Sequence, residues 1–374
     1  TEEGAIDLIR ERYPEADEGM INAAKVFYAL GFRLMARNGF LCMIIPFGIL
    51  ADTSSVKIRK SVFEKHAFLR IDAFPERDST SRRVFEDAKM STAILLSSNE
   101  KKTAETSVGV TFEKRIPSSR AEFSVADITA FSPEMMQIPL CNRGNFDLLM
   151  KFRTRTDVQK IGDVAPCLTG ELDMTQGKKF LTDDCSKPLL VKGVQIARYV
   201  FKIKDEEISQ GKIEYVDTDE FFKKCTAEKI EQTKHSRIAM QGLSGINEKT
   251  RLKAVIVPEN LILANSANFL KHQTVYPQKL LLALFNSRLL NFIFKATSTS
   301  SNVNGYEVDA LPLPALTAQN TALANEIEAL ADQILAAKST DHATDTAELE
   351  KQIDRRVYEM YELTPEEIAI VEAK

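Results

Sequence analysis

Between residues 178 and 268 the chain sets long cations and side-chain amides among glycines, a mixture suited to a polyanion whose edges can be read. Lys178, Lys179, Lys192 and Arg198 carry positive charge on flexible stems, the form that meets phosphate oxygens. Gln195, Gln241, Asn247 and Asn268 carry a donor and an acceptor side by side, which matches the edge of a base. Arg251 and Lys253 follow the Gly242–Gly245 segment and suit either task. Buried amides that close strand ends, and cations solvated on an ordinary surface, are the competing reading for each. Upstream, Arg82 and Arg83 stand in the polar stretch Pro75–Met90, where they either meet phosphates or are simply solvated.

Other chemistries lack their residues. Cys42, Cys141, Cys167, Cys185 and Cys225 form no CxxC pair, which fits free thiols in a reducing cytoplasm better than a zinc site or disulfide framework. His66, His235, His272 and His342 stand apart from any candidate nucleophile or second ligand and read as surface or core residues. Neither GxGxxG nor GxxxxGK[ST] occurs. Glu76 and Asp78 are followed by no strand that would unite a carboxylate with a lysine, as a metal-dependent nuclease requires. No apolar run approaches the roughly 18 residues of a membrane span, and the start does not resemble a signal peptide. The net charge of −4 conceals a gradient. Residues 1–150 carry 20 Lys/Arg against 21 Asp/Glu, residues 151–315 carry 24 against 19, and residues 316–374 carry 5 against 13. The middle third is therefore the natural phosphate-facing surface.

These side chains must be positioned by elements the pattern suggests. Residues 1–20 are polar and read as a linker, so the chain is expected to be a piece of something longer. Apolar residues at helical spacing over Ile21–Arg37 (Ala24, Phe27, Leu30, Leu34) predict a helix stopped by Asn38-Gly39 in a left-handed cap. The run Phe40–Pro46 predicts a central parallel strand covered on both faces. Thr53 or Ser54 would cap a helix over Val56–Phe63. Strands are expected at Ala67–Phe74, Ser91–Ser97 and Ser107–Phe112. Downstream, Ile161–Leu168, Leu189–Val191, Arg237–Gln241, Ala254–Val257 and Leu261–Ala264 read as short strands. Leu280–Lys295 is expected to be one core helix, Ser298–Gly305 a polar loop, and Leu311–Pro314 an extended exit. Acidic helices at Ala318–Ala337 and Thr346–Leu363 close the chain. The fold class expected is α/β, the second half of a doubly wound sheet, followed by a mixed α+β domain and a helical tail.

Several strings, in this order, resemble one family. Ile21–Pro46, with its "NGF" and "IIP", and Arg83–Leu96 (RVFEDAKMSTAILL) resemble segments of gamma-type adenine-N6 DNA methyltransferases. Pro188–Tyr199, Arg237–Asn268 and Leu280–Pro314 resemble the target-recognition domain of type IIG restriction–modification enzymes, and Ile353–Ile370 resembles their C-terminal signature. The resemblance implies a C-terminal half: residues 21–150 as the end of the methyltransferase domain, 151–315 as the DNA target-recognition domain, and 316–374 as a helical segment. It implies double-stranded DNA and the upstream methyltransferase half as partners. It implies S-adenosylmethionine bound upstream in the intact protein, with Mg2+ only where a nuclease is fused. It places Phe85 as the aromatic that stacks on an adenine swung out of the duplex, with Arg82 and Arg83 beside the flanking phosphates; an ordinary core aromatic is the alternative for Phe85. The family's glycine-containing cofactor motif and its Asn/Asp-Pro-Pro-Tyr/Phe are absent, so this chain alone is expected to be inactive. Its sheet is expected to show an exposed apolar edge at Phe40–Pro46. A stand-alone specificity subunit and a small-molecule methyltransferase are the rival readings. The segment at 21–97 counts against the first, and a compact apolar pocket would mark the second.

Overall fold

The computed structural model describes residues 2–19, 21–100, 105–245, 248–298 and 301–373. Asn247 and part of the Ser298–Gly305 loop (residues 299 and 300) lie outside the described residues. The chain divides into two compact units, residues 1–151 with 296–300, and residues 152–295 with 301–374.

In the first unit, α1 (Glu2–Arg12) and α2 (Ala23–Leu34) precede β1 (Phe40–Pro46), α3 (Val56–Lys65), β2 (Ala67–Phe74), β3 (Thr92–Ser98), β4 (Thr106–Val110), β5 (Ala121–Phe123), α4 (Val125–Phe131) and the start of α5 (Arg143–Thr154). The sheet order is β1-β3-β2-β4-β5. β3 runs antiparallel to both neighbours, β2 and β4 are parallel, and β5 is antiparallel to β4. β2 buries most of its residues, including Ile71 opposite Leu95, and its one buried carboxylate, Asp72, is compensated by Arg70 and Arg120. A fully buried cation also serves this unit: Arg59 donates to the carbonyls of Ile49 (2.9 Å) and Met135 (2.8 Å), tying distant loops to α3.

Four expectations change here. Residues 2–12 are helical, not linker. β1 is an edge strand paired antiparallel to β3, not a central parallel strand; Phe40, Cys42 and Ile44 of one face are exposed. The expected exposed apolar edge at Phe40–Pro46 is present, whereas the run's own pattern, which cannot report its neighbours, reads as a covered central strand. Neither Thr53 nor Ser54 caps α3 with its side chain; both lie in a 3-10 turn, and the Lys57 N–H is taken by the Glu18 carboxylate at 2.7 Å. Asn38 does adopt the left-handed conformation (φ 66°), but in the turn beyond α2, whose last helical residue is Leu34.

The second unit holds strands β6 (Val158–Lys160), β7 (Cys167–Thr169), β8 (Leu181–Thr182), β9 (Leu190–Val191), β10 (Ile196–Ala197), β11 (Val200–Phe201), β12 (Tyr215–Val216), β13 (Arg237–Gln241), β14 (Ala254–Val257), β15 (Ile262–Leu263), β16 (Ala267–Leu270) and β17 (Pro312–Pro314). Its helices are α6 (Ile161–Val164), α7 (Thr218–Phe221), α8 (Ala227–Thr233), α9 (Gln278–Asn286), α10 (Arg288–Thr297), α11 (Gly305–Asp309), α12 (Thr321–Thr340), α13 (Ala347–Met360) and α14 (Pro365–Glu372). The main sheet, β14-β13-β16-β7, is antiparallel throughout. One core cluster joins Ile196, Ala239, Val255, Val257 and Phe269, and a second joins Leu172, Leu190, Val216, Phe221 and Ile262. Gly193 is obligatory by close approach, because a Cβ there would sit 2.4 Å from the Ser266 carbonyl oxygen. β6 pairs with β17, and the prolyl carbonyls of Pro312 and Pro314 accept from the buried hydroxyls of Tyr361 and Tyr276, both at 2.8 Å.

Ile161–Val164 is a helical turn, so the expected strand begins only at Cys167. The expected Leu280–Lys295 helix is two, bent by 60° at Ser287. The Ser287 hydroxyl donates to the Leu284 carbonyl and accepts from the Leu290 N–H, while the Asp354 carboxylate accepts from the Arg288 N–H at 2.8 Å. The end of one helix and the start of the next are thus both capped. Among the described residues no single helix is long and apolar enough to cross a membrane.

Candidate nucleic-acid interface

The Pro75–Met90 loop is built around two side chains. Glu76, 2% exposed, accepts from the Asp78 and Ser79 N–H groups at 2.9 and 3.0 Å and pairs with Arg82 at 3.1 Å. Arg83 spends its guanidinium on the loop's own backbone, donating to the carbonyls of Phe85 (2.9 Å), Arg77 (3.2 Å) and Glu86. The loop closes at its base where the Ser91 hydroxyl donates to the Pro75 carbonyl at 2.7 Å. Phe85 is left 43% exposed, so the ordinary core-aromatic reading does not describe it. Arg83, expected beside a phosphate, holds its guanidinium against the carbonyls of its own loop, that of Phe85 among them. Arg82, 54% exposed, keeps its guanidinium at the surface while paired with Glu76.

In the second unit the expected contacts divide. Lys178 and Lys179 are exposed, on a 3-10 turn, with the Lys179 ammonium 5.1 Å from the Phe180 ring centre. Lys192 is engaged by the Glu214 carboxylate and the Lys212 carbonyl. Gln195 is 1% exposed: its oxygen accepts from the Lys192 N–H (2.7 Å) and its nitrogen donates to the Lys202 carbonyl (3.2 Å). Arg198 pairs with Glu350 at 2.8 Å and donates to the Asn286 carbonyl at 2.7 Å. Gln241 donates to the Ile196 carbonyl at 2.7 Å, and Asn268, buried, donates to the Val303 carbonyl. Arg251 is 1% exposed over the Phe294 ring, and Lys253 pairs with Glu248. Gln195, Arg251 and Asn268 are therefore corrected to interior residues: burial withdraws all three from a ligand, and the amides of Gln195 and Asn268 are spent on backbone carbonyls of the fold.

Sequence reasoning missed the pins beneath this surface. Arg237 and Glu171 are both sealed inside, Arg237 also lying 4.6 Å over the Phe269 ring. An arginine heading an otherwise apolar strand (RIAM) is the signal that could have found it. It also missed Leu243, 65% exposed on the Gly242–Gly245 segment. An open cleft of about 500 Å³ between α10, α13 and α14 is lined by Arg288, Lys351, Asp354 and Tyr358 among others. Burial there pushes the Asp354 carboxyl up to about 6, despite Arg288 at 3.2 Å. Its facing charges are largely paired with one another, and it lies on the acidic tail. Among the described residues no cluster of three or more His, Cys, Asp or Glu could hold a metal ion.

Neither a family model nor a curated protein matches the chain. Solved structures do. The type IIL restriction–modification enzyme MmeI, in complex with DNA, matches 92% of this chain and 50% of its own, with a TM-score of 0.57 at 12% identity. DrdV in complex with DNA matches 89% of this chain and 42% of its own (TM-score 0.45, 7% identity). The type IIG restriction endonuclease BpuSI matches 96% and 52% (TM-score 0.39, 12% identity). The chain has the fold of a large part of a type IIL restriction–modification enzyme, and it spans about half the length of MmeI.

Proposed function

We propose that this chain reads duplex DNA as the target-recognition part of a restriction–modification DNA methyltransferase acting on adenine N6. Phe85 stacks on the extruded base. The observation that carries the reading is Phe85 itself: a large aromatic exposed on a loop whose backbone is held by Arg83 and Glu76. Leaving Phe85 43% exposed forgoes about 1 kcal/mol of the stabilisation that full burial would give, a cost that contact with a base offsets. Support for the wider role comes from the fold shared with MmeI over nearly the whole chain.

Within this reading the chain's residues bind and orient. Lys178 and Lys179 meet phosphates, and Arg82 neutralises charge beside the extruded nucleotide. Phe85 replaces the stacking that the base loses on leaving the duplex. S-adenosylmethionine supplies the methyl group in the intact protein, but the described residues do not fit it. No strand of the first sheet runs through a glycine-rich turn into an α-helix; β5, the strand that leads straight into one, does so through the Ser124–Asp127 capping box. No step of methyl transfer is assigned to this chain.

The test is Phe85→Ala in the full-length protein. Adenine methylation should fall by at least about 100-fold while duplex affinity changes by less than about threefold. Unimpaired methylation would return Phe85 to a bystander, and methylation at cytosine would overturn the adenine assignment.

A further inference from the structure

Leu243 stands on a segment, residues 242–245, whose backbone is hydrogen-bonded on both sides. Its neighbour Gly242 donates its N–H to the Ser266 carbonyl at 2.9 Å and accepts from the Val303 N–H at 3.0 Å. Ser244 donates to the Ser301 carbonyl at 2.8 Å, and Leu243 itself bridges Asn302. On the far side the Gly245 N–H is taken by Glu248 at 2.9 Å. A Cβ at Gly242 would meet the Ser266 oxygen at 2.9 Å, so the segment lies hard against the turn before β16. The Asn268 amide anchors the opposite segment through the Val303 carbonyl, and the buried Arg251 guanidinium donates to the Ser244 carbonyl at 3.4 Å. A leucine needed for packing would turn inward; this one is 65% exposed on backbone fixed from both sides.

The exposed charges of the adjoining segments are Lys249 and Lys295, the latter beside Arg251; Arg251 itself is buried near Glu248 and Glu307, and Lys253 is paired with Glu248. Asn291 of α10 clasps this segment, accepting from Arg251 N–H at 2.7 Å and donating to the Lys249 carbonyl at 3.0 Å. An apolar tip among lysines suits a partner that is apolar between its layers and anionic at its rim, which describes a stacked duplex.

We propose that Leu243 is a wedge that enters the base stack of the bound duplex, while Lys249 and Lys295 meet the phosphates flanking the opened step. This rests on the DNA-recognition reading above. An inserted leucine unstacks a step and kinks the duplex.

The experiment uses the full-length protein to enrich duplexes from a random-sequence pool, then remakes the enriched duplex with 2-aminopurine at successive positions. Wild type should raise the fluorescence several-fold at one step. Leu243→Ala should abolish that rise while weakening binding by less than about tenfold, and Leu243→Met should restore it. A rise that survives Leu243→Ala but is lost in Phe85→Ala belongs to base extrusion and overturns the wedge. So does an enriched duplex that brightens nowhere, in which case DNA recognition stands. Failure to enrich any duplex at low salt overturns both. A changed oligomeric state in Leu243→Ala with unchanged DNA binding would assign the residue to a contact between copies of the chain, and would likewise overturn the wedge.

Discussion

Arg237 and Glu171 form an ion pair with side chains 0% and 1% exposed, at the point where β13 meets the loop before β15. Glu171 also accepts from the Leu263 N–H at 2.8 Å, and Arg237 donates to the Leu261 carbonyl at 2.9 Å. Removing one partner leaves an uncompensated charge inside, a loss of about 3–5 kcal/mol. Urea unfolding of Arg237→Met should show that loss, and the Arg237→Met/Glu171→Gln double variant should lose less than the two single variants summed. A single variant within about 0.5 kcal/mol of the parent would show that the pair does not hold the fold.

Asp354 gives a pH dependence of definite sign. Burial raises its folded-state pKa to about 6 from the ordinary carboxyl value of 3.8, so the folded chain binds a proton that the unfolded chain releases. Its contribution is favourable at low pH and is lost as pH rises from about 4 through 6. The shift corresponds to on the order of 2–3 kcal/mol. Measured against wild type across that window, Asp354→Asn should gain relative stability by this amount as pH rises. A difference that stays flat from pH 4 to 7 would contradict it.

Lys178 and Lys179 are exposed and stand on a turn rather than a helix face. Each alanine variant should reduce the slope of log affinity against log salt by about one unit and weaken all duplexes alike. Fluorescence anisotropy from low to moderate salt reads this directly, and an unchanged slope would remove the residue from the interface.

Arg83 should behave as a support for its neighbour. Arg83→Lys retains the charge but cannot reach three carbonyls with one ammonium. Methylation by the full-length protein should therefore fall in Arg83→Lys nearly as far as in Arg83→Ala, with the salt dependence of duplex binding unchanged. Full activity in Arg83→Lys would restore the phosphate-contact role.

The strands β2, β13 and β14 were legible in the sequence to the residue, because each is short and bounded by polar or turn residues. The antiparallel pairing of β1 was not, since the apolar run Phe40–Pro46 reads the same whichever way its neighbour runs, although its place at an exposed edge was expected. The break at Ser287 was hidden because Leu280–Lys295 keeps its apolar character across a residue whose small hydroxyl caps both helices. In the site, Phe85 could be assigned to a loop from the polar residues around it. Gln195, Arg251 and Asn268 could not be separated from Lys178 and Lys179. A side chain's hydrogen-bonding capacity is written in its type, whereas the partner that uses it, the Lys202 or Val303 carbonyl, is fixed only by folding.

The pairing of Val158–Lys160 with Pro312–Pro314 brings the polypeptide into and out of residues 161–311 through one doorway. Flanking bonds from Ile161 to Leu311 and from Ala315 to Asp157, both 2.9 Å, extend that clasp. Once the doorway is shut, doubling the length of a flexible loop within it adds only about 0.6 kcal/mol to its closure. The whole excursion can therefore behave as a cartridge. A segment of different preference grafted between the same two strands has to reproduce the side of α9 that packs on α12, the Arg198–Glu350 pair and the bond from the Arg288 N–H to Asp354 for the C-terminal helices to accept it.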